Sequence, residues 1–125
     1  GYTYSGIPVA VSAAIAVQKI FEKEDIFNRV KKISKYFEDG LHSLKDLSCV
    51  DSIRNYGLLG GIDISMRDKP GKAGFNVYKK CYDAGVNIKP TGDALIIAPP
   101  FVCENKDIDE IIDKMRNGIS HHQKS

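Results

Sequence analysis

The sequence predicts an α+β domain in which a small antiparallel or mixed sheet is covered by helices on one face. Apolar periodicity gives the element order α, α, β, β, α, β, β, α, so strands and helices are segregated along the chain. The second, third and fourth helices each carry one apolar side, as helices that cover one face of a sheet do. The 125 residues are 42% hydrophobic and 27% charged, which indicates a globular chain with one core.

The first helix, predicted from Pro8 to Lys23, is apolar or small nearly all the way round up to Val17. Proline suits the first turn of a helix because its missing N–H would have no partner there. A helix without a polar face needs partners on every side, and a chain of this size seldom surrounds one. We therefore expect the chain to self-associate through this helix or to leave it detached from the core.

The second helix follows Asp25, which we expect to cap it. Its apolar stripe consists of Ile26, Val30, Ile33, Phe37, Leu41 and Leu44. The opposite face carries Lys31, Lys32 and Lys35, which indicate a solvated face because no aromatic or further basic residue is interleaved with them. With 18 Lys and Arg against 16 Asp and Glu, the net charge is only +2. We therefore expect no nucleic-acid partner and no anionic membrane partner.

The remaining elements are short strands and two further helices. The pattern predicts strands over 50–56 and 58–66, a helix over 73–84, strands over 86–89 and 94–98, and a helix from about residue 105. The segment Pro90-Thr91-Gly92-Asp93 has the chemistry of a turn between two strands. The polar tail from Ser120 is expected to fray. The third helix is predicted to bury Phe75, Val77, Tyr78, Cys81 and Tyr82.

Cysteine and histidine usage excludes several kinds of site. Cys49, Cys81 and Cys103 are an odd number without C-x-x-C spacing, which favours core thiols in a reduced cytoplasm over a disulfide framework or an all-cysteine zinc site. His42 has too few ligand residues at helical spacing for a metal site. The apolar run over 7–17 is too short to span a bilayer and follows no basic segment, so we expect neither a membrane anchor nor a signal peptide.

Two stretches are unusual for a plain scaffold. Residues 1–8 form a polar, glycine-bearing entrance to the first helix, where hydroxyl and backbone N–H groups can hold a phosphate. Turn residues that merely cap the helix explain this pattern equally well. Residues 87–93 place Lys89 beside a proline in a hairpin, where a lysine is usually a solvated charge rather than a functional one.

Four stretches, in order, resemble the class III pyridoxal-phosphate-dependent aminotransferases, the group that contains ω-amino acid, 4-aminobutyrate and ornithine aminotransferases. Residues 1–10, GYTYSGIPVA, resemble G-[FY]-T-[FY]-S-G-H-P-V-A, and residues 53–64, IRNYGLLGGIDI, are similar to V-R-x-x-G-L-x-x-G-I-E-L. Residues 85–93, GVNIKPTGD, followed by IAPPF at 97–101, resemble G-[LV]-x-x-R-x-x-G-D and [SC]-P-P-[LF]. Residues 107–111, DIDEI, look like [EQ]-I-D-E-[IL].

This resemblance implies the fold type I architecture, with a large cofactor domain, a small domain and a homodimer whose active sites lie at the subunit interface. The chain resembles only the C-terminal part. Residues 1–24 would be an interface segment and a helix leading from the large domain, and residues 25–125 would be the C-terminal small domain. The complete enzyme would transfer an amino group between an amine or ω-amino acid and a keto acid, using pyridoxal 5'-phosphate.

The resemblance also implies roles for particular residues. Thr3 would present its hydroxyl to the cofactor phosphate of the neighbouring subunit, and Tyr2 would line that neighbour's substrate pocket. Lys89 stands where the family has the arginine that binds a substrate carboxylate. The Schiff-base lysine of the family lies upstream of residue 1, so no catalytic residue is assigned in this chain, and no metal site is expected. The chain by itself is expected not to transaminate.

Two positions depart from the family pattern. Ile7 replaces the usual histidine of the entrance segment, which is expected to alter the local packing near the phosphate. Lys89 replaces arginine, and a lysine is a hydrated point charge, whereas arginine offers a carboxylate a planar two-point fork. We therefore expect poor or altered handling of keto acids.

Two alternatives remain open at the level of the sequence. The chain could be a free-standing non-catalytic α+β interaction module, or it could be a decayed gene product. Nucleic-acid binding through the lysine-rich second helix is a weaker possibility for the reasons of charge and composition given above.

Overall fold

The computed structural model describes residues 2–65 and 69–124, with side chains through residue 122. The helices are α1 (Pro8–Lys23), α2 (Ile26–His42), α3 (Lys72–Asp83) and α4 (Asn105–Lys124), with a short 3-10 turn at Ser43–Asp46 after α2. The strands are β1 (Val50–Tyr56), β2 (Leu59–Ile64), β3 (Lys89–Thr91) and β4 (Ala94–Ile97). The element order and the α+β class predicted from the sequence are confirmed.

The four strands form one antiparallel sheet in the order β1-β2-β4-β3. Residues that pair directly across an antiparallel sheet point to the same side. The inner side buries Ile62, Ile64, Leu95 and Ile97. We call the other side the open face, and it is formed by Ser52, Arg54, Asp63, Lys89 and Ile96.

One hydrophobic core lies between the inner side of the sheet and the helices α2, α3 and α4. The predicted apolar stripe of α2 is confirmed, since Ile33, Phe37 and Leu41 are buried. Two polar links hold α4 in place on the surface. Tyr36 donates a hydrogen bond to the Asp109 carboxylate at 2.6 Å, and Arg116 forms a two-point ion pair with Asp46 at 2.8 and 2.9 Å.

Helix α1 differs from the other helices because none of its residues is buried. Even Val9 is 79% exposed and Ile15 is 52% exposed. The helix is attached at its C-terminal end, where the Phe21 ring lies 5.4 Å from the Phe27 ring and 6.0 Å from the Phe101 ring, centroid to centroid. Among the described residues, contacts therefore anchor one end of α1 and leave its apolar sides without cover.

Three local expectations were wrong. The third strand lies at Lys89–Thr91 rather than 86–89, because Ile88 is drawn into the core and the connecting turn shrinks to Gly92 and Asp93. On α3, Phe75 and Tyr82 are more than half exposed, because the buried side of this helix runs through small residues. The buried residues of α3 are Ala73, Gly74, Val77 and Cys81.

The ends of α2 and α4 also differ from expectation. Asp25 adopts a left-handed conformation with φ of 48°, makes no capping bond to the helix backbone, and accepts a hydrogen bond from the Asn28 side chain instead. The tail after Ser120 does not fray, because α4 continues to Lys124 and the fully buried Ile119 keeps this end on the core. His121 is exposed, whereas His122 is half-buried.

Within residues 2–65 and 69–124, no helix has the length and apolar character needed to cross a bilayer. The same part of the chain holds no group of three or more His, Cys, Asp or Glu side chains that could bind a metal ion. Cys49, Cys81 and Cys103 are buried, as predicted for core thiols. Burial raises the pKa of the Cys81 thiol to about 11, so it stays protonated and unreactive near neutral pH.

The exposed apolar sides of α1 predict that the isolated chain self-associates. Burying such a surface against a second copy removes apolar area from water, at about 25 cal/mol per Å². We expect sedimentation equilibrium to show dimers or larger species at micromolar concentration. The double variant Val11→Lys and Ile15→Lys should be largely monomeric, whereas the control Lys31→Ala on the solvated face of α2 should behave like the parent chain. A parent chain that stays monomeric at these concentrations would contradict this prediction.

Candidate functional site

Lys89 lies on the open face at the edge of the sheet. It is the first residue of β3 and pairs with Ile96 of β4, whose own neighbour across the sheet is Gly61, followed by Arg54 on β1. The Lys89 side chain is exposed. A cleft of about 540 Å³ opens beside it, between β3 and the aromatic side chains of α3. The cleft is lined by Phe75, Tyr78, Asn87, Lys89, Pro90 and Ile96, among others.

Arg54 lies at the other end of this row of paired residues, and its charge is balanced by an ion pair within the chain. Its guanidinium binds the Asp63 carboxylate through two nitrogens, at 2.6 and 3.1 Å. This two-point bond, together with a hydrogen bond from the Ser52 hydroxyl, holds the pKa of Asp63 below its usual value. Arg54 is therefore a structural partner of Asp63, whereas Lys89 is an exposed cation at the opposite end of the row.

The turn after β3 is fixed by Asp93. Its carboxylate accepts a hydrogen bond from the Gly71 N–H at 2.8 Å and another from the Gly74 N–H at 3.1 Å, both at the N-terminus of α3. These backbone donors, the first of them Gly71, hold the pKa of Asp93 below its usual value. The half-buried Asp93 thus caps α3 from a distant part of the chain.

The sequence motif gave Asp93 only as the end of a turn, and its bond to α3 was missed. The signal that could have found it is the absence of a capping side chain before α3, where Gly71 stands at the N-cap position. An acceptor for the first N–H groups of that helix then has to come from elsewhere in the fold.

Tyr2 and Thr3 lie far along the chain from Lys89 and are not brought together with it. Both belong to an exposed turn before α1, closed by the Ser5 N–H, which donates to the Tyr2 carbonyl at 2.9 Å. Tyr2 is 90% exposed. The 16 residues of α1 separate this turn from α2 by about 24 Å of helix rise.

The exposed turn fits the phosphate end of pyridoxal phosphate. Thr3 offers a hydroxyl in a segment that leads into α1, and the first turn of that helix has no side-chain cap. When bound, this cofactor supplies an electron-accepting ring that carries the amino group between substrates. Nothing in the described residues brings a lysine to this turn, so the chain offers a partner for the phosphate and none for the reactive end.

A second, wider cleft of about 820 Å³ lies between the start of α2 and the start of α4. Side chains of both charges line it, including Asp25, Arg29, Lys32 and Glu104. It contains none of the residues of the four sequence motifs, so we assign it no part in the chemistry.

Comparison with known proteins agrees with this geometry. The family model of the class III aminotransferases matches residues 1–119. The chain is 35% identical over 117 residues to an omega-aminotransferase of Caulobacter vibrioides, covering 93% of this chain and 27% of that protein. It is 36% identical over 118 residues to an omega-amino acid–pyruvate aminotransferase of Pseudomonas putida, covering 90% of this chain and 25% of that protein.

Among solved structures, the adenosylmethionine-8-amino-7-oxononanoate aminotransferase of Methanocaldococcus jannaschii superposes with a TM-score of 0.89 at 31% identity. The match covers 97% of this chain and 29% of that one. The fold is therefore that of part of a transaminase. The chain belongs to the class III aminotransferase family, whose cofactor is pyridoxal phosphate, and it spans about a quarter of the length of the curated relatives it matches.

The capping bond of Asp93 predicts a pH-dependent contribution to stability. Because the folded-state pKa of Asp93 lies below its ordinary value of 3.8, the contribution is present above about pH 4 and is lost as pH falls through the folded-state pKa. Asp93→Asn should lower the free energy of unfolding at pH 7 by about 1 kcal/mol, because the amide keeps one acceptor oxygen and loses one of the two hydrogen bonds to the charged carboxylate. Urea unfolding measured at pH 7 and pH 3 checks both values.

The matched control is Asp83→Asn, at the other end of α3, where the carboxylate forms an exposed ion pair with Lys79. Such pairs contribute little, so this variant should change the unfolding free energy by less than about 0.5 kcal/mol. A difference between parent and Asp93→Asn that is as large at pH 3 as at pH 7 would show that the bond is not the source.

Proposed function

We propose that this chain is the C-terminal part of a pyridoxal-phosphate-dependent aminotransferase that moves an amino group between an amine or ω-amino acid and a keto acid. The observation that supports this proposal most is the position of Lys89, an exposed cation on the open face of the sheet. The resemblance of residues 85–93 to the family motif implies a substrate-carboxylate contact at this residue. The remaining three-quarters of the relatives' length would supply the cofactor domain and the lysine that binds the cofactor.

In this proposal each part of the chain has a distinct task. Residues 1–24 are the interface segment, in which Thr3 hydrogen-bonds the cofactor phosphate and Tyr2 lines the substrate pocket of the neighbouring subunit in a homodimer. Residues 25–125 are the small domain, which holds Lys89 toward the substrate carboxylate. The three buried thiols, an odd number without C-x-x-C spacing, support a reduced, cytoplasmic location.

The uncovered sides of α1 support the same proposal. A helix that is apolar on nearly all sides and buries none of them within the chain requires protein around it. An upstream domain of the length found in the relatives is large enough to provide this cover. The proposal is tested by extending the coding sequence upstream of Gly1. An in-frame cofactor domain, and a product that forms alanine from propylamine and pyruvate, would support it.

A reading frame that ends without such a domain would overturn the proposal. The alternative of a non-catalytic module or a decayed gene product would then be the better account of the chain. No observation on the described residues favours either of these alternatives over the aminotransferase.

The identity of residue 89 predicts the strength of keto-acid binding in the complete enzyme. Lys89→Arg should lower the KM for pyruvate roughly ten- to a hundredfold, because a second charge-assisted hydrogen bond is worth about 1.5–3 kcal/mol. The control Lys79→Arg, an exposed lysine on α3, should leave the KM unchanged. Initial rates at varied pyruvate concentration measure both. An unchanged KM for pyruvate in Lys89→Arg would show that Lys89 does not bind the keto acid.

The 125-residue chain alone is predicted to lack the lysine that holds the cofactor. Incubation with pyridoxal phosphate, followed by borohydride reduction to fix any adduct, should label several lysines partially and none stoichiometrically. Peptide mass spectrometry reads the sites. One lysine labelled to completion at one equivalent of cofactor would contradict this prediction and would assign that lysine the catalytic role.

A further inference from the structure

The sheet by itself holds Lys89 weakly. β3 has only three residues and lies at the edge of the sheet, so only β4 pairs with it. Its central residue, Pro90, pairs with Leu95, whose backbone groups point to β2, so only Lys89 and Thr91 can form ladder hydrogen bonds with β4. Short edge strands of this kind open easily unless something other than the ladder fixes them.

Asp93 fastens the turn end of this hairpin to two neighbouring elements. Its carboxylate binds the Gly71 and Gly74 N–H groups of α3, as described above. Its backbone carbonyl accepts a hydrogen bond from the Ile64 N–H of β2 at 2.9 Å. One residue thus ties the turn both to the start of α3 and to the end of β2.

The turn also rests directly on the backbone of α3. A Cβ atom added at Gly74 would lie 2.3 Å from the Gly92 carbonyl oxygen and 3.0 Å from the Asp93 Cα. No side chain fits into that space, and both opposing atoms belong to the backbone. Gly92 in turn has φ of 60°, which glycine adopts without strain as the first residue of a two-residue hairpin turn.

The other end of β3 is fixed to the same helix. Ile88, directly before Lys89, is only 4% exposed. Two residues earlier, the Val86 N–H donates to the Cys81 carbonyl at the end of α3, at 2.8 Å. α3 therefore holds the hairpin at both ends, and Lys89 stands between the two attachments.

We propose that Asp93 is a positioning residue for Lys89: by binding the first turn of α3 it fixes the β3–β4 hairpin and so sets where the Lys89 ammonium meets the substrate carboxylate. This inference rests on the proposed function for the role of Lys89. Asp93 itself touches no substrate in this scheme. The effect of its loss should therefore fall on binding of carboxylate substrates and spare the amine.

Amide hydrogen exchange on the 125-residue chain tests whether Asp93 fixes the β3–β4 hairpin. In Asp93→Asn, the Lys89 and Thr91 amides should exchange at least tenfold faster at pH 7, while the Ile62 amide of β2 should accelerate by no more than the roughly fivefold that the lower global stability causes. Gly74→Ala, which displaces the turn without changing the charge, should accelerate the same two amides. The control Asp83→Asn should leave all three rates unchanged. Unchanged rates at Lys89, or equal acceleration at Ile62, would overturn the proposal.

A double-mutant cycle in the full-length enzyme tests whether Asp93 acts through Lys89. Asp93→Asn should raise the KM for pyruvate at least fivefold and leave the kcat and the KM for propylamine within twofold. Lys89→Ala should show the same pattern with a larger increase. Adding Asp93→Asn to Lys89→Ala should have no further effect, because residues that act through one another are not additive.

The outcomes separate this inference from the proposed function. If Lys89→Ala leaves the pyruvate KM unchanged, the role of Lys89 is wrong and the positioning role falls with it. If Lys89→Ala raises the KM and Asp93→Asn raises it further by an independent factor, the role of Lys89 stands and the inference about Asp93 is wrong. Only the non-additive result, together with selective exchange at Lys89 and Thr91, supports the proposal.

Discussion

The contact between the β3–β4 turn and the first turn of α3 is the constraint on which the candidate site depends. It combines a steric condition at Gly74, where only a hydrogen fits, with an electrostatic one at Asp93, whose carboxylate meets backbone N–H groups at a helix N-terminus. Because β3 is an edge strand with β4 as its single neighbour in the sheet, this contact fixes its position, as a second neighbouring strand does for a central strand. The position of the open-face cation Lys89 follows from it.

The domain has two surfaces of opposite character. One side of the sheet is covered by α2, α3 and α4 and closes around a single core. The open face and α1 have no such cover, although α1 is the most apolar helix of the chain. The chain spans about a quarter of its relatives' length, and exposed apolar surfaces of this kind are typical of protein–protein contacts.

The resemblance implies that residue 89 departs from the family motif in the shape of its charge. A lysine there keeps the sign of the family's arginine and loses its planar fork. Within residues 2–65 and 69–124, the other cation of the open face, Arg54, is bound through two nitrogens to Asp63. In the proposed enzyme, the fold of this chain therefore has to fix the direction of the Lys89 charge.

The sequence by itself determined the element order, the apolar stripes of α2 and α4, and the family, because these follow from periodicity and from motifs that are local in the chain. The sequence did not predict contacts between residues that are far apart along the chain. The helix periodicity of α3 could not show that Phe75 and Tyr82 face outward, since that depends on the side from which the hairpin approaches. The motif placed Lys89 and Asp93 in one turn, yet only the tertiary structure brought Asp93 to the amides of Gly71 and Gly74, 22 and 19 residues away. A helix N-terminus that lacks its own cap can accept one from any part of the chain, and packing alone decides which.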